Sequence, residues 1–389
     1  MALKAVHVSD VPNLDQVQEN AALALFRSSC LSVGVNGEGE EIKKGYNFGK
    51  FVVMGHRGSG MNMLQSSDGR MKSIKENSIL SFNTAAQFPI DFIEFDVQVT
   101  KDDCPVIFHD IFILTEDKGA IVEKRTTGIT LDEFLSYGPQ KQPGKVGKPL
   151  FRKTKDGKLF EWKVQNDDYL CTLEEVFQKV EYPMGFNIEL KFDDQVVYKE
   201  EELTRILQAI LKVVNEYAKD RPIIFSSFQP DAALSIRKLQ NTYPVFFLTN
   251  GGSEIYTDSR RNSLDEAIKL CCLGGLQGIV SEVKAILRNP GAVTRIKESK
   301  LALITYGQLN NVPEVVYMQH LMGVEGVIVD LVKEITEAVS DYITTPAKDV
   351  GENNLFEEEE KDVQVKTRPQ FSQLELSFLL KLIPELIRN

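Results

Sequence analysis

Phe51-Val-Val-Met-Gly55 and Asp91-Phe-Ile-Glu-Phe-Asp-Val97 are short apolar runs typical of buried β-strands, and a helix-like segment, Glu76 to Gln87, lies between them. Strand, helix and strand in this order are typical of a parallel sheet, because parallel neighbours need a long crossover. Six further runs of this kind follow: Gly185 to Lys191, Pro222 to Phe228, Pro244 to Thr249, Gly278 to Glu282, Leu301 to Tyr306, and Gly326 to Asp330. Eight such strands with helices between them predict a (β/α)8 TIM barrel.

Composition restricts the classes of function. The 389 residues are 42% apolar and carry a formal net charge of −11, which argues against sequence-independent nucleic-acid binding. The five cysteines are scattered, as in reduced intracellular proteins, and no apolar run is long enough to span a bilayer or form a signal peptide. We therefore expect an intracellular protein, cytoplasmic or plastid, without stable membrane insertion. The oligomeric state is left open.

Three segments are expected along the chain: an N-terminal extension (1–48), a barrel domain (49–345), and an acidic linker with a C-terminal helix (346–389). A capping box, Ser372-Gln-Leu-Glu375, opens that last helix, which either docks on the barrel or binds a membrane surface or partner. The lysine-rich segment Ser136 to Asp168 interrupts the alternation and predicts a long surface loop.

A ninth β-like run, Pro105-Val-Ile-Phe-His109, follows the second strand after a link that is too short for a parallel crossover. It therefore predicts an inserted hairpin. A two-residue turn at Asp102-Asp103 would pair Thr100 with Pro105 and Asp96 with His109, which brings a carboxylate next to an imidazole.

Candidate metal ligands lie within the buried strands. Glu94 and Asp96 are two residues apart, so both side chains point to one face of the strand and Phe95 points to the other. Glu189 lies in a similar apolar strand. Burial of carboxylates is costly unless a cation or a set of donors satisfies them. The three acids predict a Mg²⁺ or Ca²⁺ site, and structural ion pairs with lysine or arginine are the alternative.

Candidate catalytic residues lie where the strands end. His56 and Arg57 follow the first strand, where barrel enzymes hold their active sites. His56 and His109 would supply one acid and one base near neutral pH. Arg57 and Lys191 either bind a phosphate or neutralise the carboxylates, and both roles can hold together.

Two further pairs of residues complete the candidates. Glu76 and Asn77 open the first predicted helix and either cap it or orient Arg57. His7 and His320 have no carboxylate partner nearby in sequence. We assign both of these histidines a structural role.

These motifs together resemble those of the glycerophosphodiester phosphodiesterase family. The sequence as a whole most resembles the intracellular plant members of that family. The resemblance covers about residues 51 to 332. Its motifs are Gly55-His-Arg-Gly58, Glu76-Asn77, Glu94-x-Asp96, Thr100-x-Asp102, Val106-x-x-His109-Asp110, Thr172-Leu-Glu-Glu175, Asn187-Ile-Glu-Leu-Lys191 and Ser226-Ser-Phe228.

The resemblance implies metal-dependent hydrolysis of glycerophosphodiesters, such as glycerophosphocholine and glycerophosphoethanolamine, to sn-glycerol 3-phosphate and an alcohol, in glycerol and phospholipid turnover and phosphate recycling. It implies a site in which each residue has one of three roles: metal ligands Glu94, Asp96 and Glu189; acid and base His56 and His109; and substrate-binding residues Arg57, Lys191 and Tyr306. The alternatives are a phosphodiesterase of the phospholipase C or D type and a barrel that serves as a non-catalytic scaffold.

Overall fold

A computed structural model describes residues 46–154 and 156–340. Its strands, in chain order, are β1 (Val52–Gly55), β2 (Phe92–Val99), β3 (Pro105–Ile107), β4 (Phe112–Asp117), β5 (Ala120–Arg125), β6 (Phe151–Lys153), β7 (Leu159–Glu161), β8 (Gly185–Leu190), β9 (Ile223–Ser227), β10 (Val245–Thr249), β11 (Gly278–Glu282), β12 (Ala302–Tyr306) and β13 (Gly326–Val329). Its α-helices are α1 (Ile79–Ala85), α2 (Leu131–Leu135), α3 (Leu173–Lys179), α4 (Glu200–Tyr217), α5 (Pro230–Leu239), α6 (Leu264–Gly274), α7 (Val283–Arg288), α8 (Gly291–Glu298), α9 (Pro313–Met322) and α10 (Val332–Ala338).

The parallel strands close into a barrel in the order β1, β2, β8, β9, β10, β11, β12 and β13, with β13 pairing back to β1. These are the eight strands predicted from the apolar runs. The (β/α)8 prediction is therefore confirmed. The first helix, α1, starts later than predicted because Ser78 is its N-cap, where the side chain accepts a hydrogen bond from the Ser81 amide.

Alternate residues of each barrel strand face opposite sides, as the strand period requires. On β2, Phe92 packs in the cluster that fills the barrel, whereas Ile93 and Phe95 pack in the larger cluster between strands and helices. Below the barrel, Tyr46 and Phe48 pack edge-on against Phe246. The inward side of β2 therefore continues from Phe92 to the two acids further along the strand.

The hairpin prediction is confirmed, but its predicted register is wrong by one residue. β3 pairs antiparallel with β2, with Val99 opposite Pro105, which places Phe108 and not His109 across from Asp96. The turn is longer than a two-residue turn because the Thr100 amide bonds to the Cys104 carbonyl, and Asp103 adopts a left-handed φ of 61°.

The segment Ser136–Asp168 lies outside the barrel, as predicted, but it is not a loop throughout. It contributes β6 and β7 to a small four-stranded antiparallel sheet in the order β5, β4, β6, β7. This sheet has its own buried cluster, which includes Phe134, Tyr137 and Trp162. The strands β6 and β7 have three residues each, which is too short for an alternating pattern to be visible in the sequence.

The remaining predictions concern the two ends of the chain and membrane-spanning helices. The predicted N-terminal extension, apart from residues 46–48, and the predicted C-terminal helix with its capping box lie outside the described residues. Along the described parts of the chain, no helix has both the length and the apolar character needed to cross a membrane.

Candidate active site

The candidate site is a cavity of about 420 Å³ at the carboxyl ends of the barrel strands. Its walls include seven of the eight site residues predicted from the sequence: His56, Arg57, Glu94, His109, Glu189, Lys191 and Tyr306. The eighth, Asp96, lies beneath this surface with 1% of its side chain exposed. Barrel enzymes hold their catalytic residues at this end of the strands, so the fold brings the predicted set together where chemistry is expected.

Three carboxylates lie at the floor of the cavity. Glu94 and Asp96 point inward from β2, and the parallel register places Glu189 of β8 beside Asp96. One oxygen from each of the three groups lies within 4.8 Å of the other two. Ions that bind oxygen at about 2.0–2.6 Å keep their ligand atoms within about 5 Å of one another, so the cluster has the dimensions of a Mg²⁺ or Ca²⁺ site.

The electrostatics of the cluster also fit a cation. Burial and the adjacent Asp96 carboxylate raise the pKa of Glu94 to about 8. Burial alone would raise the pKa of Asp96 as well, but His109, Arg57 and Lys191 outweigh it and lower the pKa. The Oδ1 atom of Asp96 is buried and accepts no hydrogen bond from the described residues, although Lys191 Nζ lies 3.5 Å from it. A divalent ion would satisfy that atom and remove the repulsion between the carboxylates.

The ring of His56 is held by Asp330, the residue that follows β13. Its Nδ1 lies 2.7 Å from Oδ1 of Asp330, and its Nε2 lies 4.0 Å from Oε2 of Glu94. Asp330 is fixed in turn, since it accepts hydrogen bonds from the Met61 amide at 2.9 Å and the Asn311 side chain at 2.9 Å. Burial would lower the pKa of His56, but Asp330 raises it overall. His56 therefore directs Nε2 toward the carboxylate cluster.

His109 has an equivalent anchor on the other side. Its Nδ1 lies 2.8 Å from Oδ1 of Asp110. Burial lowers the pKa of His109, and the charges of Arg57 and Lys191 lower it further. The cavity therefore holds two imidazoles, each with one nitrogen bound to a carboxylate and the other left for a proton transfer.

Arg57 and Lys191 are in contact with the carboxylates. The Arg57 guanidinium lies 2.7 Å from Glu76 and 3.4 Å from Asp96, and its backbone amide donates to Oε2 of Glu94 at 2.9 Å. Lys191 Nζ lies 2.8 Å from Oε1 of Glu189. Arg57 and Lys191 therefore neutralise buried carboxylates, which was one of the two roles considered from the sequence. Both cations also line the cavity, where they can meet an anionic substrate.

Glu76 has the predicted role of orienting Arg57, whereas the side chain of Asn77 orients Asp96. Glu76 pairs with Arg57, and the Asn77 side chain donates to Oδ2 of Asp96 at 2.8 Å. The capping role is wrong, because Ser78 caps α1. Both residues therefore shape the site and not the helix end.

Tyr306 is the last residue of β12 and lines the cavity. Its ring packs at 89° to that of Phe228, with the centroids 5.9 Å apart. Its hydroxyl donates to Oδ1 of Asn250. The ring and not the hydroxyl is therefore free to contact a ligand in the cavity.

Two residues of the site were not predicted from the sequence: Asp330, which binds His56, and Arg152, which binds Asp110 and Glu76. Asp330 is the last residue of a predicted barrel strand, so an acid at that strand's carboxyl end was a usable signal. Arg152 lies in the segment predicted as a loop, yet it pairs with Asp110 and Glu76. Nothing local in the sequence around Arg152 indicates these contacts.

The chain is similar to known proteins along most of its length. A sequence model of the glycerophosphoryl diester phosphodiesterase family matches residues 56–334. A glycerophosphodiester phosphodiesterase of Arabidopsis thaliana that is named chloroplastic is 59% identical over 390 residues, covering 100% of both chains. A second Arabidopsis thaliana glycerophosphodiester phosphodiesterase is 60% identical over 95% of this chain and 99% of its own.

Solved structures agree in fold. A phosphodiesterase of Oleispira antarctica, determined with the product sn-glycerol 3-phosphate, has a TM-score of 0.53 at 21% identity and covers 74% of this chain and 96% of its own. A glycerophosphodiester phosphodiesterase of Parabacteroides distasonis has a TM-score of 0.51 at 21% identity, over 75% and 98%. At these identities the likeness concerns the fold alone.

Proposed function

Since the chain belongs to the glycerophosphoryl diester phosphodiesterase family, we propose that it hydrolyses glycerophosphodiesters, such as glycerophosphocholine and glycerophosphoethanolamine, to sn-glycerol 3-phosphate and the corresponding alcohol. The observation that carries this proposal is the buried cluster of three carboxylates, with an imidazole on either side, at the floor of the cavity. Metal-assisted cleavage of a phosphodiester uses this combination of a hard cation and an acid–base pair. The reaction would serve glycerol and phospholipid turnover and phosphate recycling.

The metal ligands in this proposal are Glu94, Asp96 and Glu189, and the cation is Mg²⁺ or Ca²⁺. When bound, the ion would polarise a phosphoryl oxygen and lower the pKa of the attacking hydroxyl. Arg57 and Lys191 would contact the remaining phosphate oxygens, since both side chains line the cavity beside the carboxylates.

His56 and His109 carry the two proton transfers. The 2-hydroxyl of the glycerol moiety attacks phosphorus, and one imidazole accepts its proton through Nε2. The other imidazole donates a proton to the oxygen of the departing alcohol, which leaves a cyclic phosphate. Water then opens the ring while the two imidazoles exchange roles, so both return to their starting protonation states. Asp330 and Asp110 keep each Nδ1 in place throughout.

The substrate-binding role proposed for Tyr306 rests on its ring. Tyr306→Ala is expected to raise KM roughly fivefold, because a ring contact is worth about 1 kcal/mol. Tyr306→Phe keeps the ring and loses only the bond to Asn250, so we expect its KM to stay close to that of the wild type. Steady-state kinetics with glycerophosphocholine measure both. If the phenylalanine variant were as impaired as the alanine variant, the hydroxyl and not the ring would bind substrate.

Hydrolysis of a panel of glycerophosphodiesters tests the function itself. The protein is stripped with a chelator, supplied with Mg²⁺ or Ca²⁺, and its products are separated. We expect free sn-glycerol 3-phosphate together with choline or ethanolamine. Accumulation of the cyclic phosphate as final product, with turnover of a lipid, would favour a phospholipase type. No turnover of any substrate with either metal would favour a non-catalytic scaffold.

The proposal includes the division of the chain and its location. We assign catalysis to residues 49–345, with 1–48 and 346–389 as extensions. An intracellular location, in the cytoplasm or a plastid, agrees with the chloroplastic name of one Arabidopsis thaliana relative.

A further inference from the structure

Arg152 connects the small antiparallel sheet to the barrel. It lies on β6, and its guanidinium donates to Asp110 at 2.8 and 3.2 Å and to Glu76 at 2.7 and 3.0 Å. One planar side chain therefore binds two carboxylates in two directions, which only the fork of an arginine can do. Both carboxylates come from distant parts of the chain.

Each of these two carboxylates holds a residue of the cavity. Glu76 binds the guanidinium of Arg57 at 2.7 Å, and Asp110 binds Nδ1 of His109 at 2.8 Å. Burial would raise the pKa of both carboxyl groups, but Arg152, together with Arg57 at Glu76 and with His109 at Asp110, outweighs burial and lowers each pKa, so both groups are charged at neutral pH. Arg152 is therefore one contact removed from Arg57, a candidate for phosphate binding, and from His109, a candidate acid or base.

Arg152 is itself held rigidly. Its guanidinium carbon lies 3.6 Å from the ring centroid of Trp162, and its Nη1 donates to the Asn62 carbonyl at 3.2 Å. Trp162 is fixed in turn, because its indole nitrogen donates to the side chain of Asn62 at 3.0 Å. The ammonium of Lys75 also lies over this ring, 3.5 Å from its centroid. A cation stacked on an aromatic ring and paired with two acids has few alternative positions.

We infer that Arg152 is a positioning residue for phosphodiester hydrolysis, which holds Arg57 and His109 in place through Glu76 and Asp110. The inference rests on the proposed function. Without the guanidinium, Asp110 loses the two hydrogen bonds that fix the orientation of its carboxylate. Glu76 loses two of the hydrogen bonds that its buried carboxylate oxygens accept. Both changes free the side chains that reach into the cavity. Contacts one step removed from the reacting atoms commonly change activity by roughly 10- to 100-fold.

Two variants of Arg152 test this role. Arg152→Lys keeps the charge but lacks the fork, and Arg152→Ala leaves a space that added guanidinium ion can fill. We expect kcat per folded molecule to fall roughly 10- to 100-fold in both, with a smaller rise in KM. Guanidinium at concentrations that do not unfold the protein is expected to restore part of the kcat of Arg152→Ala, whereas urea, which is uncharged, is not.

Arg221→Ala is the matched control. Arg221 is also buried and also stacks on an aromatic ring, 4.2 Å from the centroid of Phe186, but it binds backbone carbonyls at the opposite end of the barrel. Its loss is expected to lower the melting temperature without changing kcat per folded molecule. Trp162 is the single tryptophan of the chain, so its fluorescence reports guanidinium binding at the Arg152 site.

The outcomes are separable. Wild-type kcat in folded Arg152→Lys would overturn the inference, even if Arg152→Ala failed to fold. A loss in Arg152→Ala that guanidinium does not relieve, although Trp162 fluorescence shows that it binds, would also overturn it. An inactive wild-type protein would instead contradict the proposed function. Loss of kcat in both variants, with rescue by guanidinium alone, supports the positioning role.

Discussion

Replacement of Glu94 by glutamine is expected to abolish hydrolysis while leaving the metal-free protein at least as stable as the wild type. Glutamine keeps the shape of the side chain and can still accept the hydrogen bond from the Arg57 amide. It removes one of three anionic ligands, and we expect kcat/KM to fall roughly 10³-fold or more, because a metal supplies several kcal/mol of charge stabilisation. Stability should change in the opposite direction, since the substitution also removes repulsion between buried carboxylates.

The sign of the stability effect follows from the pKa of Glu94. Burial and Asp96 raise this pKa from its ordinary value of 4.5 to about 8 in the folded protein. The folded state therefore holds a proton that the unfolded state releases between these two pH values. In the metal-free wild type, this group's contribution to stability is full below about pH 4.5 and is lost as the pH rises through about 8. The glutamine variant has no carboxyl group at position 94, so this group causes no fall in its stability as the pH rises.

Thermal unfolding with a chelator, and then with Mg²⁺ or Ca²⁺, measures both effects. A bound ion raises the melting temperature of the wild type by mass action, and this rise should be much smaller in Glu94→Gln. Glu116→Gln is a suitable control, because Glu116 is an exposed residue of β4 outside the cavity. Equal turnover by wild type and Glu94→Gln would show that Glu94 is not a metal ligand.

Alanine at His56 or at His109 is expected to lower kcat by about 10²- to 10⁴-fold, which is the usual contribution of one general acid or base. Each substitution removes one of the two nitrogens that face the cavity and leaves Asp330 or Asp110 without its ring partner. The double variant should be little worse than the more damaged single variant, because the two rings act together in the same chemical steps.

His320→Ala is the matched control for these variants. His320 lies in α9, where its ring packs edge-on against Phe51 with the centroids 5.1 Å apart. We expect its kcat to match that of the wild type in the same assay. If His56→Ala and His320→Ala had equal kcat, His56 would have no part in the chemistry.

Much of the barrel was predictable because strand type and burial are local properties of the sequence. The run around Glu94 and Asp96 alternates acids with apolar residues, which fixes the face of each side chain before any tertiary contact is known. The connection after Thr100 was too short for anything but a hairpin. Its register was not predictable, since the left-handed conformation of Asp103 and the backbone bond from Thr100 to Cys104 determine the turn length.

The fold class and the residues that line the cavity could thus be predicted from the sequence, because period and spacing report which side chains are buried together on one strand. Which charged groups form pairs depends on the folded path of the whole chain. Arg152 lies 42 residues from Asp110 and 76 from Glu76, and His56 lies 274 residues from Asp330. An ion pair forms when the path of the chain brings two charges within a few ångströms, and no local pattern encodes that path.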